Sequence, residues 1–219
     1  QITFIASDGS LQVSQSITIT VNDVPPPVEP GLVSYWKFDE GIGQTTVDSS
    51  GMNLIGTLIY QPAWVTGKFG AAVRMQNVDQ AVEIPTNGMS LSKGTITMWA
   101  YPTYFPNVAQ FLFGHVSSGW NNRIQIYTNS TSGALGIGLG NTHKRSNNIY
   151  NLPKNSWTHI ALTWDGSNYV VYVNGTQRVS GSYSGLSGLS SYADIGNTGM
   201  KSDRHEAFIG TIDDVRIYS

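Results

Sequence analysis

From Gly31 onward the chain carries no convincing helical period, and this constrains its fold more than any other feature. Short runs suited to strands return roughly every ten residues, broken by Gly, Asn, Pro and Ser, a spacing that signals an antiparallel sandwich or barrel. The segment SWTHIALTWDGSNYVVYVNGTQRV is the clearest. Ile160, Leu162 and Trp164 alternate inward, then Tyr169, Val171 and Val173 do the same, as strands with one buried face require. Asp165–Asn168 reads as a turn between them. Asn174-Gly175 is the dipeptide that a two-residue hairpin of primed type demands. Three antiparallel strands in chain order follow.

The composition agrees. Only 12% of the 219 residues are charged, with 24 glycines and 11% aromatics, which suits turn-rich β structure and argues against disorder. A net charge of −2 gives no basic excess for nucleic acid or an anionic membrane, and no apolar run approaches spanning length. The absence of cysteine excludes disulfides, thiolate zinc sites and a cysteine nucleophile, but not export. With QITFIASDG at its start, the chain is read as a piece of a longer protein.

Residues 22–31, NDVPPPVEPG, form a seam, because so many prolines can enter neither a ladder nor a helix. Ahead of it, ITFIA and SITITV flank an Asp8-Gly9 turn signal and predict a hairpin. The expected division is a hairpin over 1–24, a Pro-rich linker over 25–30 and a large β domain over 31–219. The first 24 residues, with ASDG and SQSITITVNDV, resemble the last two strands of bacterial cadherin-like and immunoglobulin-like repeats. That likeness implies a multidomain extracellular protein.

LVSYWKFDEGIGQTTVDSSG, GKFGAAVRM, ITMWAYP, WTHIALTWDGSNYVVYVNG, ADIGN and GTIDDVRIY occur in this order. Together they resemble the concanavalin A-like, laminin G-like jelly-roll domain of secreted bacterial proteins. The resemblance implies an all-β, two-sheet antiparallel jelly-roll sandwich whose first and last strands are neighbours.

The closing stretch, TIDDVRIYS, then poses a question. Strand alternation puts Asp213 on the face of Val215 and Ile217, aimed at the core. A lone buried carboxylate is costly. If the end strands are neighbours, as the resemblance implies, Asp39, Asp48 and Asp213 converge on a structural calcium, with carbonyls from the Gly-rich turn completing an oxygen shell. The alternative is an Asp213 satisfied by backbone N–H groups of the DSSG turn or by an arginine.

No pair of carboxylates with glycosidase spacing stands out; Asp79 and Glu83 share a face, but Glu83 reads as an ordinary outward residue. RIQIY puts Arg123, Gln125 and Tyr127 on one face, yet the Gln-x-His pairing usual in jelly-roll lyases is missing. A non-catalytic role is expected. For binding, sugar rings need flat aromatic faces flanked by hydrogen-bonding edges. Trp120, between Gly and Asn in HVSSGWNNRIQIY, stands beside Asn121 and Arg123. His143, Arg145 and Tyr150 fall in GNTHKRSNNIYN, and Tyr104 in the Pro-bounded YPTYFPN. These are the candidate ligand residues, and the basic run points to an anionic glycan. Trp36, Phe38, Trp99, Trp157 and Trp164 are assigned to the core. The expected function is a monomeric, secreted or cell-surface carbohydrate-binding module with structural calcium. The alternatives are a protein-binding laminin G-type module, or a polysaccharide lyase or hydrolase.

Overall fold

The computed structural model describes residues 2–7, 9–10, 12–17, 29–117, 120–129, 131–141 and 144–219. Of 2–7, 12–17 and 144–145 only the backbone is described. No helix occurs among these residues. Among the described residues eighteen strands succeed one another: β1 (Ile2–Ser7), β2 (Gln12–Ile17), β3 (Leu32–Trp36), β4 (Thr45–Val47), β5 (Ile55–Ile59), β6 (Ala63–Thr66), β7 (Ala71–Met75), β8 (Ala81–Pro85), β9 (Gly94–Pro102), β10 (Gln110–His115), β11 (Arg123–Thr128), β12 (Leu135–Gly140), β13 (Lys144–Ser146), β14 (Thr158–Trp164), β15 (Asn168–Val173), β16 (Thr176–Ser182), β17 (Tyr192–Ile195) and β18 (Gly210–Tyr218).

β1 and β2 pair antiparallel from Ile2↔Ile17 to Ser7↔Gln12. The predicted hairpin forms, with its second strand starting earlier than the SITITV run, at Gln12 opposite Ser7. Residues 18–28, including most of the predicted linker, lie outside the described residues.

Two sheets build the sandwich. The first runs β13-β12-β11-β10-β17-β8-β5-β4, and the second β16-β15-β14-β9-β18-β7-β6, with β3 also pairing β18. The end strands of the domain are therefore neighbours, as expected. β14, β15 and β16 form the predicted consecutive hairpins, and Asn174 and Gly175 both have positive φ, 50° and 75°, as a primed turn requires. Between the sheets lie Trp36, Phe38, Met75, Met98, Phe113 and Phe208, all fully buried, together with Trp164. Burying each such side chain contributes roughly 1.5–3 kcal/mol.

Trp99 and Trp157 are not core. Register pairs Trp99 with His159 and Ile96 with Leu162, so the inward set is Ile96, Met98 and Ala100, and Trp99 stands on the outer face of the second sheet. There it meets His159 (ring centroids 5.2 Å apart) and Phe69 (6.2 Å), while Trp157 meets Tyr101 at a tilt, with ring centroids 5.4 Å apart. The alternation was right and the choice of face wrong.

Asp213 is corrected by the same bookkeeping. Between the pairs Asp213↔Trp99 and Arg216↔Thr97, β18 holds two residues and β9 only one. This bulge at Asp214, which has a φ of 51°, reverses the alternation. Val215 and Ile217 face inward, while Asp213 shares the outer face with Trp99. It is nevertheless fully buried, because the turn between β6 and β7 folds over it.

Candidate functional site

The face of the first sheet that looks away from the core is read from the pairs Arg123↔Gly140, Gln125↔Gly138 and Tyr127↔Gly136. Ile124 and Ile126 fill the core, so Arg123, Gln125 and Tyr127 line the outer face of β11. Facing them on β12 are three glycines. A Cβ at Gly138 would stand 3.0 Å from Gln125 Oε1, and one at Gly136 would stand 2.8 Å from the Tyr127 ring. The glycine row keeps this part of the sheet low, and a cleft of about 470 Å3 opens over it.

One wall is the segment 197–209, which crosses the same face as a strap. Its path needs Gly114 beneath it, where a Cβ would sit 2.1 Å from the Thr198 carbonyl carbon. Gln125 Nε2 donates to Thr198 O at 3.2 Å. Arg204 turns under the strap and donates to Asp194 from Nε (2.9 Å) and Nη2 (2.7 Å), while Lys201 Nζ reaches Glu83 at 2.8 Å. Asp203 and Glu206, either side of Arg204, line the cleft.

Trp120 closes one end. Its φ is 64° and that of Asn122 is 50°, a tight reversal that outside anchors hold in place. Asn122 Oδ1 accepts from Ser187 N (2.7 Å), and its Nδ2 donates to Ser117 Oγ (3.0 Å). His115, fully buried, donates from Nδ1 to Asn122 O (3.0 Å), and its Nε2 accepts from Ser190 N (2.9 Å). These partners fix the neutral tautomer. Burial lowers the His115 pKa to about 4. Arg123 lies against the Trp120 ring, 4.9 Å from its centroid, and its Nε donates to Trp120 O. Phe111 packs on Tyr127 at 5.4 Å, and Tyr127 Oη donates to Asn147 Oδ1 at 2.6 Å. The cleft therefore offers aromatic surface beside a guanidinium, amides and carboxylates. Another hollow, about 380 Å3, lies at the ends of β9, β14, β15 and β18 in the second sheet, lined among others by Lys93, Trp164, Asp165, Asn168 and Tyr169.

Of the residues expected to bind ligand, Trp120 and Arg123 share the cleft. Asn121 is exposed beside it, its carbonyl taken by Ser117 N at 3.0 Å. Tyr150 lies elsewhere, its ring under Arg178 at 4.8 Å, and Tyr104 lines a separate hollow. His143 lies outside the described residues, as does the Arg145 side chain. Phe111, Asn129, Asn147, Asp203 and Glu206 were missed. The alternate glycines of GALGIGLG were a usable signal, since glycine inside a strand marks close approach.

The three acids expected at a calcium have separate tasks. Asp48 Oδ1 accepts from Tyr35 N (2.6 Å) and Ser50 N (2.9 Å), and Oδ2 from Ser50 Oγ (2.7 Å), so it caps its own turn. Asp39 Oδ1 accepts from Ala71 N (3.0 Å). Asp213 Oδ2 accepts from Lys68 N (2.7 Å) and Phe69 N (2.9 Å), in GKFG and not in DSSG. No group of three or more His, Cys, Asp or Glu among the described residues could hold a metal ion. The expected three-carboxylate shell is thus corrected. Asp213 Oδ1, however, is buried with no hydrogen-bond partner among the described residues, and burial raises the carboxyl pKa to about 6 against the pull of the two N–H groups.

Residues 76–219 match the Concanavalin A-like lectin/glucanases superfamily, and the chain belongs to it. No curated protein matches the sequence. Among solved structures, domain 4 of AbnA, a GH43 extracellular arabinanase from Geobacillus stearothermophilus, in complex with arabinotriose, is similar. Its TM-score is 0.71 at 23% identity, over 87% of this chain and 93% of that one. A structure of botulinum neurotoxin type C, whose cell entry depends on interaction with two ganglioside molecules, gives 0.62 at 14% over 86% of this chain. Trypanosoma rangeli sialidase in complex with a difluoro-KDN gives 0.67 at 15% over 93%. This chain spans 47% and 34% of the last two. At these identities the likeness shows the fold.

Proposed function

We propose that this chain is a non-catalytic carbohydrate-binding module of a larger secreted or cell-surface protein, holding its ligand in the cleft over β11 and β12. The observation that carries the reading is the convergence, over a floor cleared by glycines, of Trp120, Arg123, Gln125, Asp203 and Glu206. Sugars present apolar ring faces and hydroxyl edges, which aromatic rings and such polar groups complement. The arabinotriose complex and the ganglioside dependence of two proteins with this fold support it. Asp203 and Glu206 come from one strap on one side of the cleft, whereas glycoside hydrolysis uses carboxylates that flank the scissile bond.

Calcium is a second part of the proposal. Asp213 Oδ1 is its anionic ligand, with Asp39 beside the same turn and Asp48 taking no part. A calcium ion would supply structural cross-linking between β18 and the β6–β7 turn.

Affinity electrophoresis on neutral and acidic polysaccharides, with a glycan array, tests the carbohydrate reading. Retardation by at least one polysaccharide is expected. Capture by no glycan, beside tight binding of a protein partner, would replace it with the protein-binding alternative.

A further inference from the structure

Across the strap from the first cleft lies a second hollow of about 630 Å3, bordered by Asn77, Asp79, Tyr104 and His205. The strap residues take turns. Asp203 and Glu206 line the first cleft, Arg204 goes under to Asp194 and Glu83, and His205 opens onto the second hollow. The strap backbone passes between residues of the two hollows here, and it is fixed. Phe111 N donates to Glu206 O at 2.8 Å on one side, and Ala207 N donates to Val78 O at 2.9 Å on the other. The 101–111 segment runs past both, giving Tyr104 to the second hollow and Ala109 and Phe111 to the first.

The second hollow repeats the chemistry of the first. Tyr104 is 55% exposed, beside Val78 at 52%, and amide, carboxylate and imidazole groups surround them. An exposed ring next to hydrogen-bonding edges is a surface suited to another sugar unit. We propose that the two hollows are successive stretches of one track for a linear polysaccharide. The strap is the sill between them, with Trp120 at one end and Tyr104 at the other. The proposal rests on the carbohydrate reading and extends it. The ligand is an interior run of a polymer, longer than one hollow can hold, and not a chain end or a lone disaccharide.

The test is calorimetric titration with linear arabino-, xylo- and cello-oligosaccharides, dimers to octamers, using the wild type and the Tyr104→Ala and Trp120→Ala variants. For the ladder that binds, affinity should rise about tenfold or more from trimer to hexamer, about 1.4 kcal/mol. Tyr104→Ala should remove that gain while leaving the trimer unchanged, and Trp120→Ala should weaken both. Tyr104 is exposed, so its variant should keep the wild-type melting temperature. Affinity that stops rising at the trimer, or a Tyr104→Ala variant that binds the hexamer like the wild type, overturns the shared track and leaves the single cleft standing. Binding to none of the ladders and to no polysaccharide on the array overturns the carbohydrate reading and the track with it.

Discussion

Arg204 holds Asp194 through two hydrogen bonds, 2.9 and 2.7 Å, with the carboxylate fully buried beneath the strap. Removing one partner of a buried ion pair leaves an uncompensated charge, at a cost of about 3–5 kcal/mol. Arg204→Met should therefore lower the unfolding free energy by about that amount in urea titrations. Replacing both, Arg204→Met with Asp194→Leu, should recover much of the loss, because no charge is then stranded. A single variant as stable as the wild type would show that the pair does not hold the strap.

Gly138 tests the cleft floor. Its added Cβ would stand 3.0 Å from Gln125 Oε1, 3.6 Å from Gln125 Cβ and 3.8 Å from Arg123 Cδ. Valine suits a strand better than glycine. Gly138→Val should reduce glycan affinity at least about tenfold, about 1.4 kcal/mol, in variant protein shown by its melting curve to be folded. Unchanged affinity would place the ligand elsewhere.

His115 gives a pH signature. Its pKa drops from the ordinary 6.5 to about 4 in the fold, so between these values the unfolded chain takes up the proton and the folded one does not. Stability is complete above 6.5, falls as pH drops toward 4 and then levels off, a loss of roughly 3 kcal/mol. Asp213 works in the opposite sense over part of this range. Its pKa is raised to about 6, so its ionisation costs stability as pH rises from about 4 to about 6. The His115 contribution is therefore read as the difference between the wild type and His115→Gln in urea titrations across pH 4–7. The variant should lack the acid-side loss. Parallel curves would show that His115 does not carry it.

Calcium should raise the melting temperature by binding at Asp213 Oδ1, which is buried without a partner. Asp213→Asn should abolish the rise, and Asp48→Asn should leave it in place, since Asp48 is occupied by its own turn. A wild-type melting curve that neither calcium nor chelator moves would remove the ion from the account.

The sandwich was legible because strand alternation and turn dipeptides are local: Ile160, Leu162 and Trp164 pack inward, and Asn174-Gly175 turns as its residues require. The face taken by Asp213 was not legible. One extra residue at Asp214 reverses the pattern, and nothing local distinguishes a bulge from a regular strand. Its hydrogen-bond partners, Lys68 and Phe69, stand some 145 residues away in sequence. In the cleft, Trp120 and Arg123 were found because a tryptophan between glycine and asparagine is conspicuous. Asp203 and Glu206 were not, because their place depends on a strap crossing a distant sheet.

The account turns on the cleft over β11 being the glycan site, and Trp120→Ala measures this most directly. Titration of the variant and the wild type with the polysaccharide that retards the wild type, beside their melting curves, gives both quantities needed. The account predicts at least about a tenfold loss of affinity, about 1.4 kcal/mol, with a melting temperature within a few degrees of the wild type. Full affinity in the variant, or a loss of affinity matched by a collapse of the fold, would contradict it.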